Sequence, residues 1–498
     1  MKGVGFPLNL SRWGAALLVV LVLSLALRLY GLGEEGLWLD EGISIRQAKL
    51  APPLIVKDCA SSVHLPAYFI ALHYWIWAFG DSELAARSLS VIFGVLSVLV
   101  AFVLGRRLFD DRVGLLCSMM LGLSVLHVQY SQEARMYSLL VLLGLLSMYF
   151  FLHLLEGRVS RWAAVGYVAS STLLIYTHYY GFFILLAQNI YVLATLPRSR
   201  EAIKRVALRW APFQAVLLVM FLPWVGISLR QVSVVQSDPS ATIPTAGSLL
   251  DTIIQFSGSV PLLLSFALLS HPSFLRLERP RAPAGQAPPP GPWHGVRWPF
   301  RLRDLRPLYL PIVWLATLVV APFVISHTPL LIYRTRFVIG ASPALYVIVS
   351  RGIVGIPLAR LRYLAVGLVV VLSAVSVAGY YQGTQKEQWR EVAAYVDDNA
   401  RPGDLVIFNS GLCLENAFDY YSTRADLAKL PFPQNTSEVD GGNIGDLGPH
   451  LVGHARVWLV LSHDGDPHGM INEALVRSYS LVSYRTFHGI GLSLYELR

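Results

Sequence analysis

Two neighbouring carboxylates stand in the run Leu37-Trp38-Leu39-Asp40-Glu41, shortly after the first apolar stretch of the chain. A carboxylate in suitable surroundings takes the proton of an attacking hydroxyl, which is general base catalysis. Acidic residues are also favoured at the start of a helix, where they cap it and complement its dipole. The pair therefore has two interpretations: a catalytic role for Asp40 and Glu41, or capping of a short helix that runs through Lys49.

Further ionisable and aromatic side chains stand at the ends of apolar segments, in four separate parts of the chain. They are His64, Glu133, Arg135, Tyr137, His178, Tyr179, Arg334 and Arg336. Ionisable groups near the headgroups of a membrane are costly unless they are paired or face a water-filled cavity, so these residues are candidates for a substrate-binding site. Arginines suit a phosphate or carboxylate partner.

Each of these candidates also has a simpler interpretation. Glu133 and Arg135 would form a local ion pair at a helix end, the two histidines would be interfacial hydrogen-bonding residues, and Tyr179 would belong to an aromatic belt. Imidazole and carboxylate groups are also suitable metal ligands, so a divalent metal near His64, Glu133 or His178 is a further hypothesis. The spacing of these residues does not require a metal, and no other cofactor is indicated.

The composition indicates a membrane protein. Of the 498 residues, 54% are hydrophobic and 14% are charged, whereas soluble proteins carry about 25% charged residues. The net charge of +9 comes from Lys and Arg clusters between apolar runs, the pattern that orients membrane proteins, so a nucleic-acid partner is not indicated. The three cysteines are too few for a disulfide framework, although one Cys59–Cys413 bond is left open.

Eleven apolar segments are candidates to span a bilayer, which takes about 20 residues per helix. They are 13–30, 84–104, 113–130, 136–155, 162–177, 181–196, 211–229, 249–270, 308–326, 337–356 and 363–381. With the N-terminus inside, every predicted inner loop is basic, as the positive-inside rule requires. This predicts a multi-pass plasma-membrane protein with the site and the C-terminus outside. Segment 13–30 also resembles a signal peptide, but we interpret it as an uncleaved first helix.

The sequence predicts two domains. Residues 1–381 form the transmembrane domain, with Leu65–Phe79 as an interfacial or re-entrant helix and 271–306 as a Pro/Arg-rich cytoplasmic linker. Residues 382–498 form a small extracytoplasmic α/β domain, with a helix at Gln388–Asn399, buried strands at Asp404–Phe408 and Val457–Leu461 and an edge strand at Gly489–Tyr495. Asn435-Thr436-Ser437 matches a glycosylation sequon, a weak signal.

Four motifs together resemble the family 39-like glycosyltransferases of the GT-C fold, which are related to protein O-mannosyltransferases and lipid A aminoarabinose transferases. They are Leu37-Trp38-Leu39-Asp40-Glu41, His64-Leu65-Pro66, Glu83-Leu84-Ala85-Ala86-Arg87 and Tyr130-Ser131-Gln132-Glu133-Ala134-Arg135-Met136-Tyr137. The resemblance covers roughly residues 1–380 and extends to Trp389-Arg390-Glu391-Val392-Ala393. It implies a mainly α, GT-C-type fold, a polyprenyl-phosphate-linked sugar donor, catalysis on the outer face and inversion at the anomeric carbon.

By this resemblance Asp40 matches the general base, and His64 lies where the family has a polar residue of the first loop. The expected function is transfer of a monosaccharide to a hydroxyl of a lipid, glycan or protein acceptor. Two alternatives remain at this point: a transporter or flippase of a lipid-linked sugar, and a non-catalytic assembly or sensor protein. A transporter would carry ionisable residues near the middle of its spans and internal repeats, which the sequence does not show.

Overall fold

The structure is a computed structural model. It describes residues 12–155, 160–196, 199–236, 242–277, 300–302, 306–434, 439–462, 466 and 468–498. Most of the predicted linker 271–306 and the sequon at Asn435 lie outside these described residues.

Helices make up nearly all of the described chain up to Gln382. In order they are α1 (Arg12–Leu29), α2 (Leu39–Lys49), α3 (Pro52–Ser61), α4 (Ala67–Phe79), α5 (Glu83–Leu108), α6 (Asp111–Leu123), α7 (Val125–Ser131), α8 (Tyr137–Leu155), α9 (Arg161–Thr177), α10 (Gly181–Ala194), α11 (Arg200–Gln236), α12 (Ala246–Ser257), α13 (Val260–Phe274), the paired strands β1 (Leu275–Leu277) and β2 (Phe300–Leu302), α14 (Arg306–Ile325), a 3₁₀ turn (Val338–Ala341), α15 (Ser342–Gly355) and α16 (Ala359–Gln382).

Within the described residues, seven helices are long and apolar enough to cross a membrane, or up to nine if each bent helix pair is one span. The bent pairs are α6 with α7, at 59°, and α12 with α13, at 84°. The multi-pass prediction is confirmed, but the count of eleven is not, because α9 and α10 have only 17 and 14 residues. The predicted apolar segment of the first loop is the short helix α4. Which side of the membrane each loop faces stays a prediction.

The helices differ in how much of their surface the protein covers. The protein buries 67% of the apolar stretch of α8, but only 17% and 22% of the apolar stretches of α1 and α16. Exposed Leu and Val side chains line the outer helices, as expected where lipid replaces water. The high burial of α8 shows that this helix lies inside the bundle, next to the site. Helices α5 and α6 also pack closely against each other, since a Cβ at Gly105 would lie 2.9 Å from the Cα of Gly114.

A buried arginine supplies hydrogen bonds to the backbone carbonyl oxygens at the break between α6 and α7. Arg28 on α1 donates to the carbonyl oxygens of Leu121 at 3.4 Å and Gly122 at 3.0 Å, and to Ser131 Oγ at 3.1 Å. Backbone groups within a membrane need such internal partners, because lipid supplies none. The bend directs α7 toward the segment 132–136, which carries two of the candidate residues.

The chain after α16 forms a small α/β region. Its elements are α17 (Trp389–Asn399), β3 (Leu405–Phe408), α18 (Gly411–Cys413), a π-helical turn (Leu414–Phe418), α19 (Asp419–Tyr421), β4 (Ala428–Pro431), a 3₁₀ turn (Ile444–Asp446), α20 (Leu447–Leu451), β5 (Arg456–Ser462), α21 (Met470–Val476), β6 (Tyr479–Phe487) and β7 (Ile490–Leu497). The sheet order is β4-β3-β5-β7-β6, with β3 parallel to both neighbours and β7 antiparallel to both. The predicted helix and both buried strands are found as α17, β3 and β5.

One strand prediction was wrong. The segment predicted as an edge strand is β7, which lies between β5 and β6. Its apolar side chains face two different cores, with Leu492 and Leu494 on one side and Tyr495 on the other. The edge strand is β6, where Tyr484 is 61% exposed. The alternation in sequence therefore did not indicate a solvent-facing side.

The disulfide that the sequence left open is not present. Neither Cys59 nor Cys413 forms a disulfide, and both are buried. Cys59 lies on α3, and Cys413 accepts a hydrogen bond from Ser462 Oγ inside the α/β region. Each thiol therefore packs in a different core.

Candidate active site

Three distant segments meet at the carboxylate of Asp40. Its Oδ2 lies 3.4 Å from Arg336 Nη1 and 3.6 Å from Arg135 Nη2. The residue stands in the first turn of α2, whose N-cap is Trp38 and has no side-chain capping bond. The side chain is 22% exposed. Asp40 is thus not the cap of its helix, and its carboxylate remains accessible between two guanidinium groups.

Glu41 has entirely different surroundings. It accepts hydrogen bonds from Arg87 at 2.8 and 2.7 Å, from Lys386 Nζ at 3.1 Å and from the N–H of Ala134 at 2.8 Å. Burial alone would raise the pKa of Glu41, but Arg87 and Lys386 outweigh it and hold that pKa at about 2. The side chain is fully buried. A fully buried carboxylate cannot touch a substrate, so the geometry does not support the catalytic role predicted for Glu41.

Arg87 connects Glu41 to the loop that precedes it. Besides the carboxylate, its guanidinium donates to the carbonyl oxygens of Leu32, Glu35 and Gly36, each at 2.8 Å. All of these bonds are shielded from water, because Arg87 is 1% exposed. The rigid fork of an arginine suits this combination of carboxylate and backbone acceptors. Arg87 therefore fixes the path of the chain from α1 to α2.

Arg135 holds the beginning of α2 from the other side. Its Nη1 donates to the backbone oxygen of Asp40 at 3.0 Å and to Ser44 Oγ at 3.2 Å. The residue is 3% exposed and lies in the short connection between α7 and α8. Arg336 belongs to the connection before α15, is one-third exposed and lies over the ring of Phe337 at 5.4 Å. Of these two cations, Arg336 is the one with access to a ligand.

Glu133 is a second carboxyl close to this cluster. It is 5% exposed, and its Oε2 is buried without a hydrogen-bond partner among the described residues. Burial raises its pKa to about 7, and Lys386 opposes that rise. Near neutral pH this group is therefore divided between the neutral acid and the carboxylate.

The two histidines and an aromatic cluster line the same area. The ring of His178 lies 4.9 Å from that of Phe337 and 6.3 Å from that of Tyr137. Burial, together with the nearby Arg135 and Arg336, lowers the pKa of both His64 and His178 to about 3. Both imidazoles are therefore neutral at physiological pH, able to donate and accept hydrogen bonds but not to act as cations.

Two other predicted residues, Tyr179 and Arg334, contact further parts of the chain. The hydroxyl of Tyr179 bonds to Ser228 and Gln231 of α11, which makes it a packing residue. Its neighbour Tyr180 lies instead against Phe337, with ring centroids 5.5 Å apart. Burial raises the pKa of Tyr180 and the charge of Arg334 opposes that rise, which places Arg334 beside this ring.

The structure does not assemble the proposed metal ligands. Among the described residues, no three His, Cys, Asp or Glu side chains are grouped so that they could hold a metal ion. His64, Glu133 and His178 each lie near Arg135, but the hypothesis of a divalent metal gains no support from their geometry.

Sequence reasoning assigned no role to three residues of this site. Arg87 and Lys386 surround Glu41, and Phe337 packs against His178 and Arg336. Arg87 is an ionisable residue within a predicted span. This conflicts with the usual membrane pattern, and the conflict was the available signal. No corresponding signal marked Lys386 or Phe337.

Residues 64–227 match the family model described as dolichyl-phosphate-mannose-protein mannosyltransferase. No curated protein sequence matches the chain. Among solved structures, ArnT from Cupriavidus metallidurans, in the apo state, is similar over 97% of this chain and 98% of its own, with a TM-score of 0.60 and 14% identity. The same protein bound to undecaprenyl phosphate is similar over 96% of this chain and 97% of its own, with a TM-score of 0.60 and 14% identity.

A third similar structure is the archaeal oligosaccharyltransferase AglB from Archaeoglobus fulgidus, in complex with an inhibitory peptide and a dolichol-phosphate. It covers 99% of this chain and 75% of its own length, with a TM-score of 0.51 and 12% identity. The chain therefore has the GT-C fold of these membrane glycosyltransferases and resembles the protein mannosyltransferase family within that fold.

Proposed function

We propose that this protein is an inverting membrane glycosyltransferase that moves a monosaccharide from a polyprenyl-phosphate donor to an acceptor hydroxyl, with Asp40 as the general base. The reaction takes place on the outer face of the plasma membrane. The observation that carries the proposal is the position of Asp40, an accessible carboxylate 3.4 Å from a partly exposed arginine in a GT-C fold. Its neighbour Glu41 is buried between the cations Arg87 and Lys386, and its role in this proposal is to position Asp40.

In this proposal Asp40 activates the acceptor, and the arginines stabilise the phosphate that leaves. The acceptor hydroxyl gives its proton to Asp40 as its oxygen bonds to the anomeric carbon, and the bond from that carbon to the phosphate oxygen breaks. The polyprenyl phosphate leaves with the electron pair. Arg336, with Arg334 near Tyr180, offsets the negative charge on the departing phosphate. An arriving phosphate competes with Asp40 for Arg336, which frees the carboxylate to accept a proton.

The neutral rings suit the sugar. His64 and His178 carry no charge at physiological pH, and Tyr137 and Phe337 add apolar ring faces beside His178. Neutral donors and acceptors beside aromatic rings are appropriate for hydroxyl-bearing ligands. The acceptor is a hydroxyl of a lipid, a glycan or a protein. The similarity to the structures of ArnT bound to undecaprenyl phosphate and of AglB in complex with a dolichol-phosphate supports the choice of carrier.

The direct test supplies the purified protein, in lipid vesicles, with a panel of polyprenyl-phosphate sugars and candidate acceptors. A glycosyltransferase releases polyprenyl phosphate and forms a glycosylated acceptor of opposite anomeric configuration. A transporter of a lipid-linked sugar moves the donor across the vesicle membrane unchanged. Movement of intact donor, with no release of polyprenyl phosphate from any member of the panel, would contradict the proposal.

Substitution of Arg336 by Gln is expected to raise the KM for the donor about 10-fold or more. The reason is the loss of one charged hydrogen bond to the phosphate, which contributes about 1.5–3 kcal/mol. Initial transfer rates over a range of donor concentrations measure this effect. Arg401→Gln, at an exposed arginine of the α/β region, is the matched control and should keep the wild-type KM. A donor KM equal in both variants excludes Arg336 from phosphate binding.

A further inference from the structure

Helix α2 presents Asp40 to the site on one side and packs against the α/β region on the other. At Gly42 the approach is so close that a Cβ would lie 1.9 Å from the backbone oxygen of Asn416. Four residues farther along, Arg46 Nε donates to Asn416 Oδ1 at 2.7 Å. Asn416 is 2% exposed and its amide nitrogen bonds to Leu412 O at 2.7 Å. A buried amide with both ends occupied is a rigid contact.

The segment that carries Asn416 has an unusual backbone. Residues Leu414–Phe418 form a π-helical turn between α18 and α19. Such turns are rare, and they occur often at functional sites. Here the turn points a backbone oxygen and a side chain at the same helix, α2. The contact joins residues that lie 370 positions apart in the chain.

Other residues of the C-terminal chain hold the beginning of α2. The N–H of Leu37 donates to the hydroxyl of Tyr421 at 2.6 Å, and the N–H of Leu39 donates to Glu387 at 3.4 Å. Lys386 bonds to Glu41 at 3.1 Å. The first N–H groups of a helix have no partner within it, and this one also has no capping side chain at Trp38. The C-terminal chain thus holds the residues on both sides of Asp40.

We propose that Asn416 is a positioning residue for sugar transfer: through its contacts with Gly42 and Arg46, the α/β region fixes where Asp40 stands relative to Arg135 and Arg336. This inference rests on the proposed function of Asp40. A catalytic group displaced by about 1 Å can lose about 10²-fold in rate. The α/β region after α16 is thereby a part of the active-site architecture.

Gly42→Ala tests the contact by pushing the helix away. Ordinary van der Waals contact begins at 3.4 Å and the new Cβ would lie at 1.9 Å, so α2 must shift by up to the difference, 3.4 − 1.9 = 1.5 Å. We expect kcat to fall about 10-fold or more per folded molecule. The KM for the donor should change less than about 3-fold, because Arg336 lies on a different segment. Gly448→Ala, at a glycine of the α/β region with nothing within 4 Å, is the control and should retain the wild-type kcat.

A second pair of variants keeps the test decisive if Gly42→Ala does not fold. Asn416→Ala removes the acceptor of Arg46 and should lower kcat, whereas Asn416→Asp keeps an acceptor there and should restore a large part of it. A contact that only stabilises the fold would lower the melting temperature of both variants and leave kcat per folded molecule unchanged, which overturns the inference. Loss of activity in Asp40→Asn together with normal kcat in Asn416→Ala removes this inference alone. Normal turnover in Asp40→Asn removes the proposed role of Asp40 as the general base, and this inference with it.

Discussion

Substitution of Asp40 by Asn is expected to lower kcat by about 10²-fold or more while donor binding stays close to wild type. General base catalysis contributes about 10²–10⁴-fold, and an amide cannot accept the proton of the acceptor hydroxyl. Asn has nearly the size of Asp and is also favoured at helix starts. A residue that served only the helix would therefore tolerate the change with little loss of activity. Initial transfer rates with an identified donor measure the effect.

A matched control separates the proton-accepting role from a general loss of charge in the loops between the helices. Asp81 pairs with Lys49 at 2.6 Å, and both side chains are half exposed. Asp81→Asn should keep the wild-type rate, since exposed ion pairs contribute only about 0–1 kcal/mol. Melting curves of both variants exclude misfolding as the cause. Near-normal turnover in Asp40→Asn would assign Asp40 to structure and leave the base to be found elsewhere.

The membrane helices were largely predictable because lipid imposes a simple rule. Each span needs about 20 apolar residues, so α5, α8 and α16 stand out in the sequence. The bends were not predictable. The apolar run 113–130 contains no Pro, and its break by 59° depends on Arg28 reaching across from α1 to bond the carbonyl oxygens of Leu121 and Gly122. Hydropathy alone does not contain that tertiary contact.

The site was predictable in part for the same reason. Residues at the same-side ends of different spans tend to meet, and the structure does bring Asp40, Arg135 and Arg336 together. The sequence could not tell the two neighbouring carboxylates apart. Asp40 stays accessible and Glu41 is buried because of where Arg87 and Lys386 lie, at separations of 46 and 345 positions. The docking of Asn416 on α2 likewise depends on packing between distant segments.

The second large effect is expected from Arg87→Met, on stability rather than chemistry. Removing one partner of a buried ion pair costs about 3–5 kcal/mol, because the remaining charge stays buried without compensation. Glu41 would keep only Lys386 and the N–H of Ala134, and the carbonyl oxygens of Leu32, Glu35 and Gly36 would lose their donor. We expect a clearly lower melting temperature of the detergent-solubilised protein, and an inactive preparation once the first loop unfolds.

The comparison for Arg87→Met is Arg106→Met, which removes an exposed cation from the same helix. Arg106 lies 2.9 Å from Asp111, with its side chain 53% exposed, so its loss should change stability by about 0–1 kcal/mol. The double variant Glu41→Gln with Arg87→Met removes both members of the buried pair and should be more stable than the sum of the two single changes predicts. Equal melting temperatures for Arg87→Met and Arg106→Met would show that the buried pair does not hold the loop. Additive losses in the double variant would show that Glu41 is stabilised mainly by Lys386, and the support of Asp40 would then come from the C-terminal chain rather than from α5.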